Sequence, residues 1–175
     1  MTDKNVSIMN IGSMGYLPQV FKKIENEKKL NIVYLGGSIT MGCNATKTEL
    51  RYVDRSAKWW QTNFPDAEIS YFNAGIGATT SQFGVARVQE HVLDKQPDLV
   101  FVEFSVNDSS SPLFMETYES LVRRLLKAES VKAVVLINNL FYDTGTNAQG
   151  IHNAIGLNYD LPIVSVRNYI FPEIQ

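Results

Sequence analysis

Short apolar runs rich in β-branched residues alternate with segments of helical period along most of this chain, and few folds satisfy that alternation. Leu30-Asn31-Ile32-Val33-Tyr34-Leu35 is too short for a core helix and is stopped by Gly36-Gly37, so it reads as a buried strand. Residues 69–72, 99–104, 131–137 and 162–166 read the same way. Helical spacing fits residues 51–64, with Val53, Ala57 and Trp60 inward, and residues 81–94, with Ser81 as N-cap and Val85, Val88 and Val92 inward. Further helices are expected over 114–128 and 147–158. A charged amphipathic helix over 16–29 carries Val20, Phe21 and Ile24 on one side and forms, within residues 1–29, a helical lead-in. Strands alternating with helices imply a parallel sheet wrapped on both faces. Ligands of such sheets bind at the carboxyl ends of the strands.

The 175 residues fit one domain, 1–175. No basic run stands out and the net charge is -2, which argues against nucleic acid and anionic membrane as partners. No apolar run is long enough to cross a bilayer. The start, Met1-Thr2-Asp3-Lys4-Asn5, lacks a basic stretch followed by an apolar one; no signal peptide is expected, and the cytoplasm is the default compartment. Cys43 is the single cysteine, with no metal spacing around it, and reads as a small loop or core filler.

Three strand ends carry unusual chemistry. Gly36-Gly37-Ser38-Ile39-Thr40 follows the first strand. Its glycines allow a sharp turn that can expose a serine hydroxyl; a plain strand-to-helix turn or a phosphate cradle is the alternative. No Gly-Lys-Ser/Thr follows, so it is not a P-loop. Asn73-Ala74-Gly75-Ile76-Gly77-Ala78-Thr79-Thr80-Ser81 leaves backbone N–H groups uncovered before a helix, where negative charge can settle. Taken alone it is better read as a flexible turn capped by Ser81. Phe104-Ser105-Val106-Asn107-Asp108 ends the third strand. There an Asn can aim its NH₂ at an oxyanion, although Asn-Asp is also a common turn pair. Together the three supply a nucleophile, a backbone donor and an amide donor on one sheet edge, the set that stabilises a tetrahedral acyl-transfer intermediate.

These blocks resemble the SGNH (GDSL-like) hydrolases, and in particular the bacterial carbohydrate esterase-like members. Gly37-Ser38-Ile39-Thr40 is similar to the family's first block, residues 73–87 with Gly84, Ala86 and Arg87 to its second, and Val106-Asn107-Asp108 to its third. Pro97-Asp98-Leu99-Val100-Phe101-Val102-Glu103-Phe104 also resembles this subgroup. The resemblance runs from about Asn31 onward. It implies a three-layer α/β/α sandwich with a flavodoxin-like parallel sheet in the order 2-1-3-4-5, counting from the strand at 30–35. It implies ester hydrolysis, with an acetyl ester on a carbohydrate as substrate, by Ser38 as nucleophile. The N–H groups of Ser38 and Ala78 and the Asn107 side chain would hold the oxyanion, with no metal or organic cofactor. The family's oxyanion Gly falls on Ala78, which serves if its φ is negative; Gly77 is the alternative if the register slips by one.

The family's last block, Asp-x-x-His, does not occur in these 175 residues, so weak activity is expected of them and full activity of a form extended through that block. His91, late in the 81–94 helix, and His152, early in the 147–158 helix, are both read as solvated or packing residues. A degenerate, glycan- or partner-binding protein and a sugar O-acyltransferase remain the competing readings. Of the other conspicuous residues, Trp59 and Trp60 lie on a helix with at least one in the core. Arg87 reads as a salt-bridge or loop anchor. Glu103 either pairs with a loop donor or marks the strand's exit. Lys22, Lys23, Lys28 and Lys29 read as a solvated helix face.

Overall fold

The computed structural model describes residues 4–175; Met1-Thr2-Asp3, on which the expectation of no leader largely rests, lies outside the described residues. The elements run β1 (Ile8–Asn10), α1 (Leu17–Glu27), β2 (Lys29–Gly36), α2 (Ser38–Met41), α3 (Tyr52–Asn63), β3 (Glu68–Gly75) and α4 (Ser81–His91). They continue with β4 (Leu99–Glu103), α5 (Pro112–Leu126), β5 (Ala133–Asn138), α6 (Gln149–Asn158), β6 (Ile163–Ser165) and α7 (Val166–Ile170). The sheet order is β1-β6-β5-β4-β2-β3. The five strands from β6 to β3 are parallel and stand in the expected order.

Successive strand residues point to opposite faces, and each face meets its own helices. Val33, Leu35, Val100, Val102, Val134 and Leu136 pack with α4, α5 and α6 through Val88, Leu121, Val122, Leu125 and Ile155. Ile32, Tyr34, Leu99 and Val135 pack with α1 and α3 through Val20, Ile24, Val53 and Trp60. Burial on both faces explains why β2, β4 and β5 read as near-continuous apolar runs. Trp60 is in the core, while Trp59 is half-exposed with its ring edge against Trp60.

The N-terminal segment differs from the helical lead-in expected over 1–29. It contains β1, paired antiparallel to β6. Helix α1 stops at Glu27 because Lys28 takes a left-handed conformation, φ 52°, which breaks the helical path. Lys29 then opens β2. The lysines are therefore not one solvated face. Lys23 Nζ bridges Glu27 at 2.7 Å and Asp98 at 3.3 Å, tying α1 to the approach of β4. Among the described residues no helix is long and apolar enough to cross a membrane.

One close approach governs how the α4–α5 layer meets the sheet edge. A Cβ on Gly84 would lie 2.8 Å from Cζ of Phe104, the residue that leads β4 into its loop. Gly84→Val is expected to cost at least about 2 kcal/mol through overpacking, read as a lower urea midpoint with an unchanged m-value.

Candidate active site

The parallel register sets Gly36 between Gly75 of β3 and Glu103 of β4. The ladder then continues into the turns: Gly37 N–H donates to Glu103 O at 3.3 Å, and Ile76 N–H to Gly36 O at 3.1 Å. Gly36 has no room for a side chain, because a Cβ would overlap Thr40 Oγ1 and sit 2.5 Å from Glu103 O. The chain must therefore turn at once, and Ser38 opens the single-turn helix α2, half-exposed. Its own N–H is one of those that a helix start leaves without an internal partner. Among the described residues its hydroxyl makes no hydrogen bond.

The second block lies differently from the loop expected over 73–81. Asn73, Ala74 and Gly75 belong to β3, held in the ladder by β2. Asn73 Nδ2 donates to Thr40 O at 2.8 Å and so anchors α2. Ala78 has φ 57°, so the negative φ on which its oxyanion role is conditional is not met. The left-handed region costs an L-residue roughly 1–2 kcal/mol and suits glycine. Gly77 is not in that region, so the backbone favours the register that sets Ala78 on the family's glycine. Ser81 is not the N-cap either; Thr80 holds that place. Ser81 N–H donates to Asp108 Oδ1 at 2.9 Å, and its hydroxyl pairs with Thr117 Oγ1.

The third block closes on the first. Asn107 N–H and Asp108 N–H both donate to Phe104 O, at 3.0 and 2.9 Å, and this turn swings Asn107 over Gly37. A Cβ on Gly37 would stand 2.5 Å from Asn107 Oδ1 and 3.3 Å from Thr79 O. Ser38 is the next residue, so the three blocks meet at one edge. Asn107 Oδ1 is buried and unpartnered, whereas Nδ2 is engaged by nothing among the described residues. An amide N–H pair is thus free to donate to a ligand.

Neither histidine bonds to Ser38. His91 Nδ1 lies 3.2 Å from Arg87 Nη1 at the end of α4. His152 is wholly buried, not solvated: it stacks on Tyr118, and its Nε2 is 3.1 Å from Asp108 Oδ2. Sequence reasoning missed this pairing, whose sole local trace is an Asp beside the Asn of the third block. Arg87 makes no salt bridge among the described residues and anchors backbone instead. It donates to Ala74 O at 2.8 Å and to Gly36 O at 3.1 Å, and burial lowers its pKa to about 10. Glu103 pairs with a loop donor, as one reading had it: Oε1 lies 3.1 Å from Ser105 Oγ, which accepts Asn139 N–H at 2.7 Å. Cys43 is exposed. No cluster among the described residues could hold a metal ion.

Burial raises the Glu103 carboxyl from its ordinary 4.5 to about 7. Between those values the folded protein keeps a proton that the unfolded chain has lost, so this group's contribution to stability falls as pH rises. Glu103→Gln should therefore match the wild type near pH 5 and exceed it at pH 8 in urea unfolding. Parallel pH profiles for the two proteins would contradict this. Ala78→Gly should fold and should not lower the melting temperature, because relief at φ 57° offsets the added unfolded-state entropy.

Residues 34–161 match the GDSL-like Lipase/Acylhydrolase family. Comparison with curated proteins returns no match. Among solved structures, a two-domain esterase (CEX) active on acetylated mannans is 46% identical, with a TM-score of 0.96. The match covers 99% of this chain and 47% of that one, so the chain spans about half the length of that protein. The same figures hold for that esterase co-crystallized with mannopentaose. A catalytic mutant of Axe2, an acetylxylan esterase from Geobacillus stearothermophilus, is 19% identical over 82% of this chain and 80% of that one, with a TM-score of 0.67. AlinE4, an SGNH-hydrolase family esterase, is 20% identical over 81% and 77%, with a TM-score of 0.63. At those two identities the likeness is one of fold. Block order, fold and matched residues agree: the chain belongs to the GDSL-like lipase/acylhydrolase (SGNH) family.

Proposed function

We propose that this chain carries a serine esterase site for acetyl esters on a carbohydrate. The observation that carries the reading is the seat of the Asn107 amide against Gly37: Oδ1 and Cγ lie against the Gly37 backbone, and Nδ2, on the same carbon, has no hydrogen-bond partner among the described residues. Ser38 Oγ attacks the acyl carbonyl. The carbonyl oxygen takes up the negative charge and is held by Ser38 N–H, Ala78 N–H and Asn107 Nδ2. The proton of Ser38 Oγ–H passes to solvent and a solvent proton joins the sugar oxygen as collapse of the tetrahedral intermediate breaks the ester C–O bond; acetyl stays on Ser38, and water then adds to it, releasing acetate and restoring the serine hydroxyl.

The space nearest α2 reaches Ile39, next to Ser38, but is lined by none of Ser38, Ala78 and Asn107. A cavity of about 470 Å³, lined by Ile39, Cys43, Leu50, Tyr52, Asn139 and Tyr142 among others, opens there and is within the size range of small-molecule sites. Acetylated glycan as the substrate class is supported by the 46%-identical esterase active on acetylated mannans. A second reading, binding without turnover, is favoured by one observation: neither His91 nor His152 is bonded to Ser38. A serine hydroxyl is a poor nucleophile without a base in reach.

Acetate release from acetylated manno-oligosaccharides tests the proposal. The 175-residue chain should turn over faintly, at roughly 10³–10⁴ over water, from the oxyanion donors and binding. Ser38 should nevertheless take up acetyl, seen by mass spectrometry and lost in Ser38→Ala, and Asn107→Ala should lower the turnover by on the order of 10²–10³. A wild-type chain whose Ser38 takes up no acetyl would defeat the reading. Acetyl appearing on an added sugar acceptor in place of free acetate would turn it into acyl transfer.

A further inference from the structure

One buried carboxylate joins the two loops that carry the proposed oxyanion donors. Asp108 follows Asn107 in the chain, and its Oδ1 accepts the N–H of Ser81, three residues beyond Ala78. Its Oδ2 faces His152 Nε2 at 3.1 Å. A carboxylate held by one amide can still swing about its terminal torsion, which has broad minima. A second donor on the other oxygen fixes it. His152 supplies that donor from the first turn of α6, a helix itself pinned to the third block by Ala148 N–H donating to Ser105 O at 2.7 Å.

The imidazole is chosen for its N–H and not for its bulk. It is wholly buried, and its ring stacks on Tyr118 with centroids 3.6 Å apart and planes 7° from parallel. Its Nδ1 is buried without a partner. A buried unpartnered nitrogen costs stability, so a phenylalanine would fill the same space better. A bare Nε2 would set its lone pair against the Asp108 carboxylate 3.1 Å away, which favours the tautomer with its proton on Nε2. Burial lowers the ring's pKa from its usual value, against the opposing pull of Asp108. We propose that His152 is a positioning residue: by donating Nε2–H to Asp108 it fixes the spacing between the Ala78 and Asn107 donors. The inference rests on the esterase reading.

Two measurements on the full chain test it. The first is acetylation of Ser38 by p-nitrophenyl acetate, followed by mass spectrometry. His152→Phe keeps the stack on Tyr118 and removes the donor; it should slow acetylation by on the order of 10²-fold, the usual consequence of slightly misplaced groups, at unchanged half-saturation. His152→Gln, whose amide can donate in place of Nε2–H, should recover most of the rate. In an Asn107→Ala background the His152→Phe effect should vanish, since groups that act as a unit are not additive. Wild-type acetylation by His152→Phe, or fully multiplicative losses, would overturn the proposal while leaving the esterase reading intact. If Ser38 itself takes up no acetyl in the wild type, the esterase reading falls and the proposal with it. The second measurement is amide hydrogen exchange at Ser81, which should quicken in His152→Phe and be restored in His152→Gln; exchange that does not change overturns the tie. If His152→Phe does not fold, the wild-type imidazole ¹⁵N spectrum decides. A proton on Nε2 throughout pH 5–8 supports the proposal, and a neutral ring that carries its proton on Nδ1 overturns it.

Discussion

The place of β2 between β3 and β4 is the constraint on which the rest depends. In a parallel sheet covered on both faces, polar groups can reach a ligand only where strands end. Register brings Gly36 level with Gly75 and Glu103, so three chains leave the sheet side by side. The first ladder bonds beyond the strands, Gly37 N–H to Glu103 O and Ile76 N–H to Gly36 O, fix the points from which the loops start. Arg87 reinforces that edge from α4 by donating to Gly36 O and Ala74 O. A buried guanidinium loses hydration, which two backbone acceptors offset only in part. Its depressed pKa is the sign of that cost.

Much of this was legible in the residues, for physical reasons that differ by element. The strands β2, β4 and β5 stood out because both of their faces are apolar. The edge strand β3 was read only over 69–72, since Asn73 and Gly75 are turn formers; pairing with β2 overrides that preference. Strand β1 has three residues, two of them exposed, and offers no period to read. At the site, Ser38 and Asn107 were legible because glycines and an Asn-Asp pair interrupt apolar runs at strand ends. The left-handed backbone of Ala78 was not, because nothing about an alanine announces a positive φ. Nor was the Asp108–His152 pair, whose partners stand 44 positions apart and meet only once α6 has folded over the third block.

Buried polar groups gather beneath this edge: Glu103, Ser105, Asp108, Asn139 and His152 are all buried. Each loses hydration and gains a hydrogen bond in return, although Glu103 Oε2 and His152 Nδ1 are left buried without one. What the arrangement provides is rigidity. Donors held in place before a substrate arrives need not reorganise as charge develops, and that preorganisation is where such sites derive most of their rate. The conspicuous exception is the Ser38 hydroxyl, which no side chain among the described residues engages.

The central claim is that Ser38 N–H, Ala78 N–H and Asn107 Nδ2 converge on one oxygen. A crystal structure of the chain with Ser38 phosphonylated by a small alkyl phosphonate tests it most directly, because the phosphoryl oxygen takes the place of the oxyanion. The account predicts that oxygen within about 2.7–3.1 Å of all three nitrogens. A phosphoryl oxygen turned to solvent, or held by neither Ala78 nor Asn107, would contradict it.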